Sequence, residues 1–433
     1  MKTAEIKIES MKYPNIGIGY LNNKKIEIKR TLPDQKVLVQ IRKNKGRLIE
    51  VLEKSPDEIE SPCPVFGLCG GCSYQNLEYD RELQLKEQSV KGLISGISYE
   101  YLGIEQTKLR AYRNKMEYSF GDLYKNSPLS LGLRKRNSYY EIAPQDHCNI
   151  VDKDFIQILN FTQNYFRNTD ETFYHKGTRT GALRHLVIRK GHFTGEILVN
   201  LVTTGNFYHK LENFTGMLKL NLDGKITGII HTLNDSVADV VRSDSQTLLC
   251  GRDFFYENLH GLKFKIYPYS FFQTNSFGAN ILYNIVKDFV IQCENRDEIL
   301  DLYCGSGTIG QIISPLAGKV TGIDIAEQSI ASAKENAREN RINNIDFIRG
   351  DIKKISPLKG DIVIADPPRE GLVNAPITDC NPRYIIYVSC NPATFVKDLA
   401  NLKGYRLKKL KLADMFPRTA HVEIIGLLEK EDL

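Results

Sequence analysis

The spacing of apolar residues changes twice along the chain and divides it into three parts. Up to residue 55, short segments such as 5–9, 24–29 and 36–41 alternate apolar and polar positions between turns at Gly, Asn and Pro residues. Such alternation is typical of strands that bury one face. The pattern predicts that residues 1–55 form a small five-stranded β-barrel.

The middle part, 56–270, mixes helical and strand-like spacing. A helical pattern covers 77–93, whereas 183–190 and 196–203 are rich in residues typical of strands. An acidic stretch with two prolines, 54–62, leads into this part and suits a linker. We expect an irregular α+β domain here.

The last part, 271–433, alternates apolar runs with helical stretches. The runs lie near 298–303, 319–325, 345–348, 361–365 and 384–388. This order is typical of a doubly wound parallel sheet with helices on both faces. The closing segments 406–415 and 421–428 are only five residues apart, too few for a helical crossover, so we expect them to pair antiparallel at one edge.

Motifs whose side chains are suited to binding or catalysis directly follow three of these apolar runs. They are Asp-Leu-Tyr-Cys-Gly-Ser-Gly at 301–307, Asp-Pro-Pro-Arg at 366–369 and Ser-Cys-Asn-Pro at 389–392. Ligands of open α/β sheets bind outside the carboxyl ends of the strands. The three motifs are therefore predicted to converge on one crevice.

The composition narrows the class of protein. A chain of 433 residues is too long for one typical core, and a net charge of +6 is mild enough that any nucleic-acid surface has to be local. The first residues lack the apolar core of a signal peptide, and no apolar run approaches the ~18 residues of a membrane span. Nine cysteines without a secretory signal argue against a disulfide framework. We expect a cytoplasmic protein.

Glycines and acids at the strand ends predict a nucleoside ligand. Gly305 and Gly307 let backbone amides approach a ligand at the start of a helix. Asp324 ends the next strand, where a carboxylate can bind ribose hydroxyls, and Asp351 would face an adenine ring. NAD and S-adenosylmethionine both satisfy this pattern, but the missing third glycine of the dinucleotide fingerprint favours S-adenosylmethionine. A solvated carboxylate is the plainer interpretation of Asp324.

Cys390, at the end of a predicted buried strand, is the predicted nucleophile. Carbon 5 of a uracil becomes nucleophilic once a thiolate has added to carbon 6, and a base must later remove the proton from carbon 5. Glu423 is the candidate base. Arg369 stands where amino-directed methyltransferases have an aromatic residue after the two prolines, which disfavours an exocyclic amine as the target. The plainer interpretation of Cys390 is a small buried hydrophobe.

Two further motifs complete the set, Phe-Phe-Gln-Thr-Asn at 271–275 and Phe-Pro-Arg-Thr-Ala-His-Val-Glu at 416–423. Over nearly its whole length the chain resembles the RNA (uracil-5-)-methyltransferases, which modify transfer or ribosomal RNA with S-adenosylmethionine. The resemblance implies a multidomain α/β protein. It would have a Rossmann-like class I methyltransferase domain at 271–433, an OB-like TRAM barrel at 1–55 and an RNA-binding α+β domain at 56–270.

The resemblance also implies roles for single residues. Gln273 and Asp366 would lie in the active site, in reach of the pyrimidine and the methyl donor. The cofactor pocket would be lined by Tyr303, Asp324 and Asp351. Two positions depart from the family pattern, because many relatives have Glu at the position of Asp324 and His at the position of Arg418.

A group of cysteines predicts a metal site. Cys63, Cys69 and Cys72 lie close together, and Cys148 is the only other cysteine in the first 249 residues. Four thiolates suit zinc or an iron–sulfur cluster, and the spacing leaves both open. The resemblance implies a 4Fe-4S cluster. Because the cysteine spacing of radical S-adenosylmethionine enzymes is absent, we expect a structural or RNA-positioning role.

Two segments without acids, 108–115 and 175–185, combine cations with aromatic residues. This composition suits phosphate contacts and base stacking around a single-stranded RNA loop, although a solvated basic face is the plainer interpretation. The candidate RNA contacts are Arg113, Lys115, Arg179 and Arg184. A third basic stretch, 42–47, fits either phosphates or a solvated hairpin tip.

The predicted function is methylation of carbon 5 of a uridine, in 23S rRNA because the barrel and the cysteine group accompany the catalytic part. Transfer RNA is the alternative substrate. A different class of function is an iron–sulfur RNA-binding protein without catalysis, which the joint presence of Cys390, Glu423, Gln273 and Asp366 opposes. We expect a monomer, with neither a membrane nor a protein partner.

Overall fold

The computed structural model describes residues 2–139, 141–222, 224–237, 243–354, 359–373 and 375–431. The strands in these ranges are β1 (Lys2–Lys7), β2 (Ser10–Lys12), β3 (Ile16–Leu21), β4 (Lys24–Lys29), β5 (Lys36–Arg42), β6 (Lys45–Glu53), β7 (Glu100–Glu105), β8 (Lys115–Gly121), β9 (Ser130–Arg134), β10 (Ile142–Ala143), β11 (Leu183–Lys190), β12 (Ile197–Thr203), β13 (Ile226–Leu233), β14 (Ser245–Gly251), β15 (Phe255–Leu259), β16 (Leu262–Ile266), β17 (Glu298–Leu302), β18 (Lys319–Asp324), β19 (Ile345–Arg349), β20 (Ile362–Ala365), β21 (Tyr384–Ser389), β22 (Tyr405–Ala413) and β23 (Glu423–Lys430). The α-helices are α1 (Tyr79–Leu93), α2 (Lys153–Arg167), α3 (Glu212–Asn221), α4 (Ser276–Gln292), α5 (Thr308–Ile313), α6 (Glu327–Glu339) and α7 (Pro392–Leu399). Across these described ranges, none of the helices combines the length and the apolar character that a bilayer crossing requires.

The N-terminal residues form one sheet in the order β1-β5-β6-β4-β3-β2. Alternating apolar side chains bury a small core, which consists of Ile6, Ile8, Ile26, Ile28, Val37 and Val39. The sheet has six strands instead of the expected five. The additional strand, β2, spans three residues and is too short to show as an alternating pattern.

The middle of the chain builds a seven-stranded sheet in the order β10-β9-β8-β11-β12-β13-β14. The two strands expected near 183–190 and 196–203 are β11 and β12, and they pair antiparallel. Helices α2 and α3 contribute Phe155, Phe166 and Phe214 to its apolar core. Strands β15 and β16 form a separate hairpin before α4.

The last sheet has eight strands in the order β19-β18-β17-β20-β21-β23-β22-β7. Its first five strands are parallel, as the alternation of apolar runs and helical stretches predicts. Strands β22 and β23 pair antiparallel, which confirms the expectation for the closing segments. The carboxyl ends of β17, β18, β20 and β21 therefore meet at one edge of the sheet.

Part of the expected middle domain belongs to this last sheet. Strand β7 pairs parallel with β22 and occupies the edge that the closing segments were expected to form. Val90 and Ile94, from α1 and its end, join the same buried core as Leu410 and Ile424. The predicted domain boundary at residue 270 therefore does not separate the two sheets completely, because residues 79–105, which precede it, pack on the C-terminal sheet. Local periodicity reveals a strand or a helix, but it does not reveal which sheet the element joins.

Candidate active site

The cysteine after β21 and the first residue of β23 lie side by side. In the antiparallel pair of these strands Ser389 is opposite Ile424, so Cys390 and Glu423 continue the same register by one residue. Asp366 follows the adjacent parallel strand β20. The sheet pairing therefore brings together three side chains that are separated along the sequence.

The side chains of Cys390, Glu423 and Asp366 are close enough for the charge of one to change the pKa of another. Burial, together with the negative charges of Glu423 and Asp366, raises the pKa of the Cys390 thiol to about 11, and the positive charge of Arg369 acts in the opposite direction. Burial, together with the charge of Asp366, also raises the pKa of Glu423 to about 8, and the charge of Arg369 acts in the opposite direction. The pKa of Asp366 rises to about 7 through burial. The site thus combines a thiol of raised pKa with two carboxyl groups, Asp366 and Glu423, that exchange protons near neutral pH.

The loop after Asp366 is fixed by the helix that follows the cysteine. The carbonyl oxygen of Arg369 accepts hydrogen bonds from Asn391 Nδ2 at 3.3 Å and from Thr394 Oγ1 at 3.1 Å. Asp398 accepts from the Tyr387 hydroxyl at 2.6 Å and from the Leu372 amide at 2.9 Å. Both ends of the Pro-Pro loop are therefore attached to the β21–α7 unit, which keeps Asp366 and Cys390 in a defined relative position.

Gln273 is held by a residue that the sequence did not assign to the site. Asn114 Nδ2 donates to the Gln273 carbonyl at 3.0 Å, and the Asn114 amide donates to the Thr274 carbonyl at 2.9 Å. Asn275 caps α4 and donates to the carbonyl of Met415 at 2.6 Å. The Phe-Phe-Gln segment is thus attached to both the middle part and the loop that leads to Glu423. No local pattern marks Asn114, since its partners lie about 160 residues away.

The glycine motif forms a tight turn between β17 and α5. Gly307 has a φ of 71°, and a Cβ there would lie 2.4 Å from the ring of Phe347. Tyr303 is also left-handed, with a φ of 61°, and its hydroxyl donates to the Leu372 carbonyl at 3.3 Å. The turn connects the glycines to the loop that follows Asp366.

Acids from the next two strands border this turn. Asp324 accepts from the Gly305 amide at 3.0 Å and from the Ala326 amide at 2.8 Å, so its carboxylate is oriented by the loop itself. Asp351 accepts from the Lys353 amide at 3.0 Å, and its charge contributes, after burial and Asp398, to a pKa of about 12 for Tyr303. The residues expected for the cofactor pocket therefore occupy one region of the strand ends. The oriented carboxylate and the close glycine turn fit an adenosine ligand.

Arg418 connects the loop 414–422 to the segment after the first cysteines. Its guanidinium donates to the carbonyls of Tyr74 at 3.1 Å and Leu77 at 2.5 Å. In return, its carbonyl accepts from the Ser73 amide at 2.7 Å and the Tyr74 amide at 3.1 Å. The departure from histidine at this position therefore has a structural explanation, because the longer side chain is buried and satisfies main-chain oxygens.

The four cysteines of the first half come together, although they do not form a metal site as they stand. The charges of the Cys63, Cys69 and Cys72 thiols add to burial in raising the pKa of Cys148 to about 12. Gln145 Nε2 donates to Cys69 Sγ at 3.6 Å, and the Gly71 amide donates to the same sulfur at 3.3 Å. Within the described ranges, no three His, Cys, Asp or Glu side chains are arranged so that they could hold a metal ion.

The candidate RNA contacts differ in accessibility. Arg179 is exposed in a turn that is closed by the hydrogen bond from its amide to the His175 carbonyl at 2.7 Å. Lys115 pairs with Glu117 at 2.7 Å. Burial and, after it, the charges of Arg369, Lys86 and Arg113 lower the pKa of His421, so Arg113 lies near the loop 414–422.

Arg184 does not suit the expected contact with RNA. Its side chain is buried, and one guanidinium nitrogen donates to the carbonyls of Asn234 and Ser236 at 2.7 Å each. The guanidinium also lies over the ring of Tyr174, 4.6 Å from its centroid. Basic composition suggested a surface residue, but this arginine binds main-chain oxygens inside the middle part.

A parallel sheet with a glycine turn and acids at successive strand ends is typical of α/β folds that bind nucleosides, and the comparisons assign this one to the class I methyltransferases. A family model described as a methyltransferase domain matches residues 294–396. The chain is also 27% identical to Pyrococcus abyssi tRNA (uracil-54, C5)-methyltransferase, whose structure in complex with S-adenosyl-L-homocysteine has a TM-score of 0.79 and is matched over 98% of this chain and 99% of that chain.

Sequence comparison defines the family. A protein named as an uncharacterized RNA methyltransferase from Caldanaerobacter subterraneus is 45% identical over 98% of both chains. A protein of the same description from Clostridium tetani is 45% identical over 100% of this chain and 99% of its own. The chain belongs to this RNA methyltransferase family, which confirms the resemblance seen in the motifs.

Proposed function

We propose that the protein transfers a methyl group from S-adenosylmethionine to carbon 5 of a uridine in RNA, through a covalent bond between Cys390 and carbon 6. The observation that carries the proposal is the adjacent placement of Cys390 and Glu423 across β21 and β23, with Asp366 beside them. A nucleophile and a base in one pocket are what substitution at carbon 5 requires. An exocyclic amine would need no thiol.

The proposed reaction begins at the thiol. The Cys390 thiolate adds to carbon 6, and the electrons of the carbon 5–carbon 6 double bond move into an enolate that extends to O4. Carbon 5 then takes the methyl group that the sulfonium of S-adenosylmethionine supplies, and the sulfonium becomes a neutral thioether. Glu423 removes the proton from carbon 5, the double bond forms again, and the thiolate leaves.

The carboxyl groups suit these steps. A pKa of about 8 makes Glu423 a base of the strength that works near neutral pH. Arg369 lowers the pKa of Cys390 against the effect of burial, so its charge favours the thiolate. Asp366 and Gln273 are proposed to hold the pyrimidine and the methyl donor. Tyr303, Gly305, Gly307, Asp324 and Asp351 are proposed to hold the nucleoside part of the donor.

We propose 23S rRNA as the substrate and transfer RNA as the second candidate. The N-terminal sheet and the cysteine region support a large RNA target, whereas the similarity to a protein titled as a tRNA (uracil-54, C5)-methyltransferase supports the second. The exposed Arg179, with Arg113 and Lys115, is proposed to contact phosphates. Base pairing and stacking hide carbons 5 and 6, so the target base has to be flipped out of its stack.

We also propose that Cys63, Cys69, Cys72 and Cys148 bind a 4Fe-4S cluster with a structural role. The proximity of the Cys63, Cys69 and Cys72 thiols to Cys148 and the two N–H donors to Cys69 support the assignment, because hydrogen bonds to sulfur are typical of such clusters. Iron, sulfide and zinc analysis of anaerobically purified protein tests it. If the analysis finds equimolar zinc and no sulfide, the four cysteines form a zinc site and the proposed cluster is wrong.

The function is tested by methyl transfer from labelled donor to 23S rRNA and to transfer RNA from a strain that lacks the gene. Digested RNA is analysed for 5-methyluridine by mass spectrometry. The parent protein should form it in one RNA class, Cys390→Ala should form none while it still binds RNA, and Cys250→Ala, a change outside the site, should behave as the parent. Methylation at another atom, or full activity of Cys390→Ala, would refute the proposal.

A further inference from the structure

The N-terminal sheet and the loop that leads to the proposed base pack on one buried cluster. Met11, on β2, packs against a buried cluster that consists of Leu32, Tyr74, Leu77 and Leu85, and Ala420 packs against the same cluster. Ala420 precedes Glu423 by three residues. Strand β2 and the loop 414–422 therefore pack on the same buried cluster, and the N-terminal sheet is not a separate appendage.

The residue after β2 reaches further toward the site. Tyr13 is half-buried and packs against the core of the last sheet, to which Tyr387, Val422 and Ile424 belong. Ile424 follows Glu423 on β23, and Tyr387 lies on the strand that ends at Cys390. Tyr13 thus packs against a core to which both the strand that ends before Cys390 and the strand that begins at Glu423 contribute.

The charges around Tyr13 are those of the site. Burial, together with the charges of Glu423 and Cys390, raises its pKa to about 12, and the charge of Arg369 acts in the opposite direction. Glu423 and Arg369 also act on Cys390. The phenol is therefore close enough to the site to be affected by its charges, and it stays neutral over the pH range in which the enzyme would work.

We infer that Tyr13 is part of the uracil pocket, where its ring packs against the flipped base while Cys390 adds to it. The inference rests on the proposed function. A flipped pyrimidine offers two apolar faces, and proteins hold such bases between aromatic and apolar side chains. Tyrosine supplies a large apolar surface with little conformational entropy to lose. The N-terminal sheet then contributes directly to the reaction site as well as to RNA affinity.

A purely structural role for Tyr13 makes a different prediction. In that case the ring only fastens the sheet to the catalytic part, and removal of Met11, which fastens the same sheet, would have the same consequence. A pocket residue instead affects the chemical step while the sheet stays docked. The effect on the chemical step would come from the aromatic ring of Tyr13 and not from its hydroxyl.

The test compares the full-length parent with Tyr13→Ala, Tyr13→Phe and Met11→Ala. Thermal unfolding is used first to verify that all four proteins are folded to the same extent. RNA binding, kcat and KM are measured with the RNA that the parent methylates. Covalent adduct formation is followed on the same RNA containing 5-fluorouridine. Its carbon 5 carries fluorine in place of the hydrogen that the base would remove as a proton, so the covalent adduct is trapped. Tyr13→Ala should lower kcat/KM by about tenfold to a hundredfold, as expected when a reacting group is misplaced.

Tyr13→Ala should also form the adduct more slowly, with RNA affinity close to that of the parent, because phosphate contacts dominate affinity. Tyr13→Phe should retain the activity of the parent, and Met11→Ala should stay active. Parent-like turnover of Tyr13→Ala, or an equal loss in Met11→Ala, would overturn the inference and leave the proposed function intact. Absence of 5-methyluridine with the parent itself would overturn both.

Discussion

The backbone amide of Arg418 donates a hydrogen bond of 2.7 Å to Oε1 of Glu82. The same carboxylate accepts from Lys86 at 2.7 Å, and Lys86 also binds Asp414 at 2.7 Å. The start and the middle of the loop 414–422 are thereby tied to α1. This buried network, which consists of Glu82, Lys86, Asp414 and Arg418, holds the loop that ends at the proposed base.

Replacement of Arg418 tests this network. Arg418→Ala leaves the buried carbonyls of Tyr74 and Leu77 without their donor, which costs about 1–3 kcal/mol in the free energy of unfolding. Glu82 remains paired with Lys86, so we expect a loss of this size and no collapse of the fold. Urea denaturation measures the difference. An unchanged midpoint would mean that the loop is held by its apolar contacts alone.

Replacement of Glu423 separates the two halves of the proposed reaction. Glu423→Gln keeps the shape of the side chain but cannot take the proton from carbon 5, so a covalent protein–RNA adduct should accumulate and be visible as a shifted band on a denaturing gel. Glu429→Gln, on the same strand, is the matched control and should turn over normally. For the parent, kcat/KM should rise as the pH passes through about 8, where Glu423 loses its proton. Full turnover of Glu423→Gln would remove this residue from its role.

Buried acids predict how stability depends on pH. Burial raises the pKa of Asp301 and Asp366 from 3.8 to about 7, and that of Glu423 from 4.5 to about 8. In this window the folded protein binds more protons than the unfolded chain, so the free energy of unfolding falls as the pH rises. We expect the denaturation midpoint to decrease between about pH 5 and pH 8, and Glu423→Gln to reduce the slope. A rising midpoint would contradict the raised pKa values.

The glycine turn predicts a selective loss of donor binding. Gly307→Ala would place a methyl group against the ring of Phe347 in a left-handed backbone, so the turn has to move. Gly404 has a similar φ of 79° but has no atom within 4 Å of a Cβ at that position, which makes Gly404→Ala the control for backbone strain alone. Calorimetric titration with S-adenosylhomocysteine should show weaker binding only for Gly307→Ala. Equal affinities would place the donor elsewhere.

The two arginines of the segment 175–185 should behave differently. Arg179→Ala should reduce the slope of log K against log salt for RNA binding by about 0.7, the value for one phosphate contact on a single strand. Arg184→Ala should leave that slope unchanged and lower stability, because its guanidinium binds buried carbonyls. Binding isotherms at several salt concentrations distinguish the two outcomes. Equal slopes for Arg179→Ala and the parent would remove Arg179 from the RNA surface.

The sequence located the strand ends of the last sheet because its signal is local. Apolar runs mark buried parallel strands, and topology alone places the residues after them at one edge. Cys390 and Asp366 could therefore be assigned to one crevice before the structure was known. Glu423 followed from its motif, and the register of β21 and β23 then accounted for its position beside the thiol.

The contributions of distant segments could not be predicted in the same way. Asn114, Tyr13 and Arg418 act through contacts with residues far along the chain, and each lies in a stretch whose pattern only indicates a turn or a basic surface. Arg184 shows the converse, since composition does not distinguish a solvated guanidinium from one that is buried with main-chain partners. Long-range pairing decides these cases, and periodicity carries no information about it.

Strand β7 has a consequence for biosynthesis. It leaves the ribosome early, yet its partner β22 lies near the end of the chain. Until translation is nearly complete, β7 presents unpaired amides and carbonyls, the kind of edge that other chains can join. The nascent chain therefore carries this open edge through most of its synthesis, and the catalytic sheet is completed only when β22 and β23 emerge.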